Sequence, residues 1–339
     1  MGLHCAVDLH GNNGFYGMVD EKGHRVFKKR LPNSLATVLA QLEPYRDDLS
    51  NGVVVESTYN WYWLVDGLQD NGYRARLANP AGMEQYDGLK NTDDETDTFF
   101  LTELSRLDIL PEGYIYPKEE RPVRDLLRRR LLLVQQRTAH VLSFKNLVAR
   151  QHGENIASNK VQQLWPAEVG KLFDDDRLIL MGETNIEMIR FLTKRIRAIE
   201  KKVLSEVELR AQYTKLLTVP GIGKILALTI MLETGDISRF KKVGNYSSYC
   251  RCVKSSRTSN DKKKGENNRK NGNRYLNWAY VEAANFMRRY SPEAKRWYQR
   301  KLRRSKSVVA TKALAGKICK ACYFVIRDQV DFDVKLMFG

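Results

Sequence analysis

Leu3-His4-Cys5-Ala6-Val7-Asp8 opens the chain with a short apolar run that ends in a carboxylate. Its length and composition read as a β-strand. Residues 14–19 and 23–31 read as two further strands joined by the turn Glu21-Lys22-Gly23. Helical spacing follows at 34–48, and then Gly52-Val53-Val54-Val55-Glu56, a second apolar strand closed by an acid. A helix at 58–71, a strand at 73–78 closed by Asn79-Pro80, and a helix over about 92–107 complete this part. Three strands in succession and then alternating helix and strand predict a mixed sheet with helices packed on it.

That order is the order of the ribonuclease-H-like fold, in which the first and fourth strands lie side by side. The C-terminal ends of those strands would bring Asp8 and Glu56 together. Each follows an apolar strand, where a core residue would be expected. In Thr92-Asp93-Asp94-Glu95-Thr96-Asp97, Asp94 and Asp97 are three apart and share a helix face, with Asp93 as a rival to Asp94. Four carboxylates in one cleft repel unless cations sit among them, and hard oxygen ligands select Mg2+ or Mn2+. Paired ions of that kind hold the attacking and leaving oxygens of a phosphoryl transfer. The plainer reading is a helix whose first turn is acidic because the helix dipole favours it.

Charge is divided unevenly along the 339 residues. The net is +17, but residues 1–110 carry 10 Lys/Arg against 17 Asp/Glu, a net of −7, which leaves +24 for the remainder. A concentrated positive field favours polyanions, because neutralising phosphates releases condensed counterions. With 42% hydrophobic residues the chain can bury its cores, so wholesale disorder is excluded. There is no apolar run of eighteen residues and no signal-peptide pattern, so the expected location is the cytoplasm, with no membrane. Five cysteines in such a chain argue against a disulfide framework. Cys250/Cys252 and Cys319/Cys322 have the spacing of zinc ligands, but the second pair reads better as part of a helix facing a core.

Pro111, Pro117 and Pro122 punctuate a linker. Apolar residues then recur at three- and four-residue steps over 123–150 and again over about 174–215, which predicts two long amphipathic helices. They suit an antiparallel hairpin, a coiled coil between subunits, or a simple spacer. Residues 213–330 read as a second, mostly helical domain with one long loop at about 253–273. Val219-Pro220-Gly221-Ile222-Gly223-Lys224 has the form of the turn in helix-hairpin-helix modules, whose glycines and helix-terminal amides approach a phosphate. A tight helix-packing turn is the other reading. Arg257, Lys262, Lys263, Lys264, Arg269, Lys270 and Arg274 offer cations to a nucleic-acid backbone, and a second basic run extends from Arg288 to Arg304. The aromatic residues interleaved there, such as Trp278 and Trp297, could stack on bases but mostly read as core.

Taken together, these residues resemble the DEDD transposases of bacterial insertion sequences, the bridge-RNA-guided recombinases. The matching pieces are Val7-Asp8-Leu9, Val55-Glu56-Ser57-Thr58-Tyr59, Asn79-Pro80-Ala81, Leu89 to Asp97, Val219 to Gly223 and Arg269 to Leu276, in the family's order. The resemblance implies a RuvC-like metal-binding nuclease domain (1–110), a linker and coiled-coil helices (111–212), and a mostly α transposase domain (213–339). It implies Asp8, Glu56, Asp94 and Asp97 as metal ligands. It also implies a serine nucleophile completed by the acids of another subunit, in a dimer or tetramer acting on donor and target DNA with a guide RNA. In the family that serine follows a Tyr-x-Gly-Leu-x-Pro segment and is usually followed by Gly. Here Tyr249-Cys250-Arg251-Cys252-Val253-Lys254 stands in that place, which puts Ser259 on the nucleophile, Asn260 on the Gly, and leaves Ser255 and Ser256 as rivals. Two other functions fit the residues: a metal nuclease or junction resolvase using water, and a nucleic-acid-binding protein without catalysis.

Overall fold

The computed structural model describes residues 2–83, 93–206, 211–253, 257–259, 262–265 and 271–339. The chain forms two compact units, Met1–Lys118 and Glu119–Gly339.

The first unit is built on a five-stranded sheet of order β3-β2-β1-β4-β5. Its strands are β1 (His4–Leu9), β2 (Asn13–Val19), β3 (Arg25–Pro32), β4 (Val53–Glu56) and β5 (Ala75–Ala78). β1 pairs antiparallel with β2, and β2 with β3, whereas β1, β4 and β5 run parallel. This is the mixed sheet read from the element order. β1 is central and buried at every residue, one place past the expected end at Asp8. β3 is the edge, and its exposed Arg25, Lys28, Lys29 and Arg30 discourage pairing with a further strand.

Side-chain alternation assigns the two faces. Cys5, Val7 and Leu9 of β1, with Val53 and Val55 of β4, pack against α1 (Leu35–Leu42) and α2 (Tyr62–Asp70) through Val38, Leu42, Leu64 and Leu68. Ala6 and Val54 face the other way, onto a core with Leu101 and Leu104 of α4 (Asp94–Arg106), beyond the single turn α3 (Pro80–Met83). By the same alternation Asp8 and Glu56 belong to the α4 face. Helix α4 comes close to the sheet because β2 offers Gly17 there. A Cβ at Gly17 would lie 3.0 Å from Thr98 and 3.2 Å from Phe99.

Two helices are shorter than their spacing predicted. The stretch 34–48 is helical only to Leu42 and then tightens into a 3-10 turn over Glu43–Asp48. Pro44 has no N–H for the next helical bond. The helix expected from residue 58 starts at Tyr62, because the Thr58 hydroxyl bonds to Asn60 and the Asn60 amide to the His10 carbonyl.

The second unit opens with α5 (Arg121–His152), followed by the single turns of α6 (Ser158–Gln163) and by α7 (Asp176–Glu206). α5 and α7 run antiparallel within one chain: Arg130 bonds Glu200, and His140 bonds Asn185. Phe144 and Leu147 of α5 pack against Ile186 and Ile189 of α7. Of the helix expected over 174–215, Asp176–Glu206 form α7 and Ala211–Leu217 form α8, and residues 207–210 lie outside the described residues. Helices α9 (Lys224–Thr234) and α10 (Val243–Tyr249) precede a short antiparallel hairpin, β6 (Arg257–Ser259) and β7 (Lys262–Gly265). The segment expected as one long loop therefore contains a two-stranded ladder. Helices α11 (Arg274–Tyr290), α12 (Pro292–Leu302), α13 (Ser307–Asp328) and α14 (Val334–Phe338) follow. One core gathers Leu127 of α5 with residues of α8 to α11 and α13. Cys250, Cys319 and Cys322 are buried in it, as the helix reading of the second pair expected, and all five cysteines are free.

Candidate active site

Parallel pairing of Val7 with Val55 puts Asp8 and Glu56 side by side at the C-terminal ends of β1 and β4. Asp8 is buried at 5% exposure, and Glu56 is half-buried. Across from them α4 begins. Its N-cap is Asp93, whose carboxylate accepts from the Thr96 backbone N–H at 2.7 Å, and this bond holds Asp93 below the usual carboxylate pKa. Asp93 is therefore occupied at the helix end, while Asp94 turns toward the sheet.

His10 stands between the two elements. Its Nε2 is 3.2 Å from Oδ2 of Asp8 and 3.2 Å from Oδ1 of Asp94. The three donor groups lie within 4.8 Å of one another, and among the described residues they form the group fit to hold a metal ion. The other Asp94 oxygen accepts from Arg30 Nη2 at 2.6 Å. The Arg30 guanidinium, with help from His10, keeps the Asp94 carboxyl below its ordinary pKa. Glu56, beside Asp8 at the strand ends, and Asp97, half-buried one turn along α4, do not belong to the group.

Of the four acids expected as ligands, the structure thus draws Asp8 and Asp94 into one cluster and sets Glu56 beside Asp8. The sequence reading missed His10 and Arg30. His10 carried a signal, because it sits two residues after Asp8, just past the end of β1. Arg30 carried none, since its place opposite Asp94 depends on the packing of α4.

In the second unit, Ser259 ends β6 with its backbone paired to Lys262, and Thr258 pairs with Lys263. Ser255, Ser256, Arg269 and Lys270 lie outside the described residues, as does Asn260. Lys262, Lys264 and Arg274 are exposed. Gly221 is in the left-handed region at φ 90°, and a Cβ there would meet Met287 N of α11 at 2.5 Å. Internal packing therefore requires that glycine. Gly223 is different: it is the exposed N-cap of α9, open beyond 4 Å, next to exposed Lys224. A groove between α5 and α11 adds Arg128, Arg129 and Arg274 to Tyr275 and Trp278.

One buried carboxylate escaped the sequence reading altogether. Glu233, 2% exposed, accepts from Arg128 at 2.5 and 2.7 Å and from Asn273 Nδ2 at 2.7 Å. Asn273 in turn caps α11 by accepting from Tyr275 N and Leu276 N. The network ties α5, α9 and the start of α11 together.

A cluster of this kind can hold a divalent cation, and the basic charge of the second unit attracts polyanions. Residues 213–299 match the family described as "Transposase IS116/IS110/IS902 family", and residues 5–152 match a DEDD model of the IS110 type described as "Transposase". A "Probable family 20 transposase" of Pseudomonas aeruginosa is 24% identical over 314 residues, covering 88% of this chain and 89% of that protein. These matches support the IS110-type transposase family for this chain, and with it DNA recombination or transposition, a phosphoryl-transfer reaction in general terms. Among the described residues no helix is long and apolar enough to cross a membrane.

Proposed function

We propose that the chain is the recombinase of an insertion sequence, which cuts and exchanges strands of donor and target DNA through a phosphoserine link. The observation that carries this reading is the convergence of Asp8 and Asp94 on one point at the strand ends of the sheet. The donor set fits a divalent cation, because two carboxylates and an imidazole nitrogen lie within 4.8 Å. Asp8 and Asp94, with Glu56 and Asp97 beside them, would hold Mg2+ or Mn2+. The ion would supply Lewis-acid stabilisation of charge on the phosphate oxygens. The sheet, on this reading, has the ribonuclease-H-like arrangement.

Ser259 is the nucleophile. Its Oγ forms the bond to phosphorus, the bond to a deoxyribose oxygen breaks, and the serine proton passes through solvent to that departing oxygen. The phosphodiester energy is kept in the new ester, so the strand can be passed on without an outside energy source. Two features favour Ser259. Arg251 is left-handed at φ 53°, at the position where the resembling family has Gly, which supports the register that leads to Ser259. Lys262, its exposed cross-strand partner, offers a cation for the developing charge.

Gly223, Lys224, Lys262, Lys264, Arg274 and the exposed Arg300, Lys301, Arg303 and Arg304 form the phosphate-binding surface. Arg257, Lys263, Arg269 and Lys270 join them by their place in the sequence. These groups read charge and backbone rather than bases, which suits a protein whose target choice rests with a guide RNA. A dimer or tetramer supplies acids and serine from different subunits. The experiment is strand cutting with Mg2+ by Asp8→Asn and Glu56→Gln. Both variants lose cutting while binding DNA normally. Retained cutting would remove the carboxylate site from the reaction.

A further inference from the structure

We infer that His10 is a direct metal ligand of the acidic site, a nitrogen donor that biases it toward Mn2+ over Mg2+. The inference rests on the carboxylate site proposed above and adds a ligand and a metal preference to it.

The geometry is that of a coordination edge. Two ligands about 2.1 Å from one ion and at right angles to each other are about 3.0 Å apart. His10 Nε2 stands 3.2 Å from an oxygen of each of two aspartates. Nε2 is shielded from solvent and makes no well-aligned hydrogen bond to either, although both are in range. An atom equidistant from two carboxylates and aligned with neither is placed to share an ion with them.

The backbone of His10 is fixed for this purpose. Its N–H donates to Asn13 O at 2.8 Å. Its carbonyl accepts from Asn33 Nδ2 at 3.0 Å and from Asn60 Nδ2 at 2.9 Å. Arg30 occupies the far oxygen of Asp94 and so leaves Oδ1 to face the imidazole. The side chain is 42% exposed, but its Nε2 is on the shielded side, turned to the two carboxylates. Both ions take carboxylate oxygens, but Mn2+, a softer transition-metal ion than Mg2+, tolerates a nitrogen ligand better, so one imidazole among the carboxylates tips the site toward Mn2+.

The test is Mn2+ binding to the full chain, followed by electron paramagnetic resonance, with pulsed measurement of nitrogen coupling to the bound ion. The wild type should show directly coupled nitrogen. His10→Ala should lose that coupling and bind Mn2+ about tenfold or more weakly, with a smaller loss for Mg2+. Thermal melting checks that His10→Ala is folded; if it is not, the coupling in the wild type decides by itself. Mn2+ that binds in the wild type, is lost in Asp8→Asn and shows no nitrogen coupling would overturn the role of His10 and leave the carboxylate site standing. Nitrogen coupling that persists in folded His10→Ala would also overturn it. Failure of the wild type to bind Mn2+ would overturn both.

Discussion

Replacing Glu233 by Ala should destabilise the second unit severely without touching either proposed catalytic group. Glu233 is 2% exposed and accepts two bonds from Arg128, at 2.5 and 2.7 Å, and one from Asn273. Arg124, 5% exposed, lies 3.8 Å away. Burial opposes the charge on Arg128, yet the Glu233 carboxylate outweighs it and holds the guanidinium above its usual pKa. Removing the acid leaves the buried Arg124 and the half-buried Arg128 facing a void. Breaking a buried ion pair from one side costs about 3–5 kcal/mol. For a unit of this size each kcal/mol moves the midpoint by roughly 2–4 °C, so a fall of roughly 6–20 °C is expected. Glu233→Gln keeps the shape and should fall by less. The double variant Arg128→Met/Glu233→Met should recover much of the loss of Glu233→Ala, because paired apolar groups leave less charge stranded. Thermal melting by circular dichroism, with guanidinium unfolding as a check, measures all three. A midpoint for Glu233→Ala within about 2 °C of the wild type would refute the network, since a loss under about 1 kcal/mol fits a surface pair.

Two further outcomes are expected. Burial, reinforced by Arg106 and Arg76, holds His4 below the usual histidine value of 6.5, so the folded state resists its protonation. The unfolded chain therefore takes up this proton first, and stability present above about pH 6.5 declines as the pH falls below it. Stability curves between pH 5 and 8 should show that slope in the wild type and a flatter one in His4→Gln. Lys262→Ala/Lys264→Ala removes two exposed cations of the β6–β7 hairpin. DNA affinity should fall for every sequence alike, and the slope of log K against log salt should shrink by about two, as read by anisotropy titration.

The strands β1 and β4 were legible because each is a short apolar run with a marked end. Val53-Val54-Val55-Glu56 admits little but a buried strand that stops at its acid. The parallel pairing of β1 with β4 followed from the element order, and it put Asp8 beside Glu56. What the sequence could not carry was anything set by the approach of distant elements. Arg30 meets Asp94 only because α4 crosses the sheet over Gly17. Glu233 carried no signal, because its burial depends on α5, some hundred residues earlier, folding back over α9. The choice between Asp93 and Asp94 rested on spacing in the sequence. In the structure Asp93 is committed to the helix cap, which favours Asp94 as the residue facing the sheet.

The phosphoserine step is the centre of the account, and a trapping assay tests it most directly. The protein is incubated with labelled donor and target DNA, Mg2+ and RNA from its own element, then denatured and examined for DNA attached to protein. The account predicts an adduct that disappears in Ser259→Ala and persists in Ser255→Ala and Ser256→Ala. DNA cut without any adduct would contradict it, and would assign the acids of the first unit to hydrolysis by water.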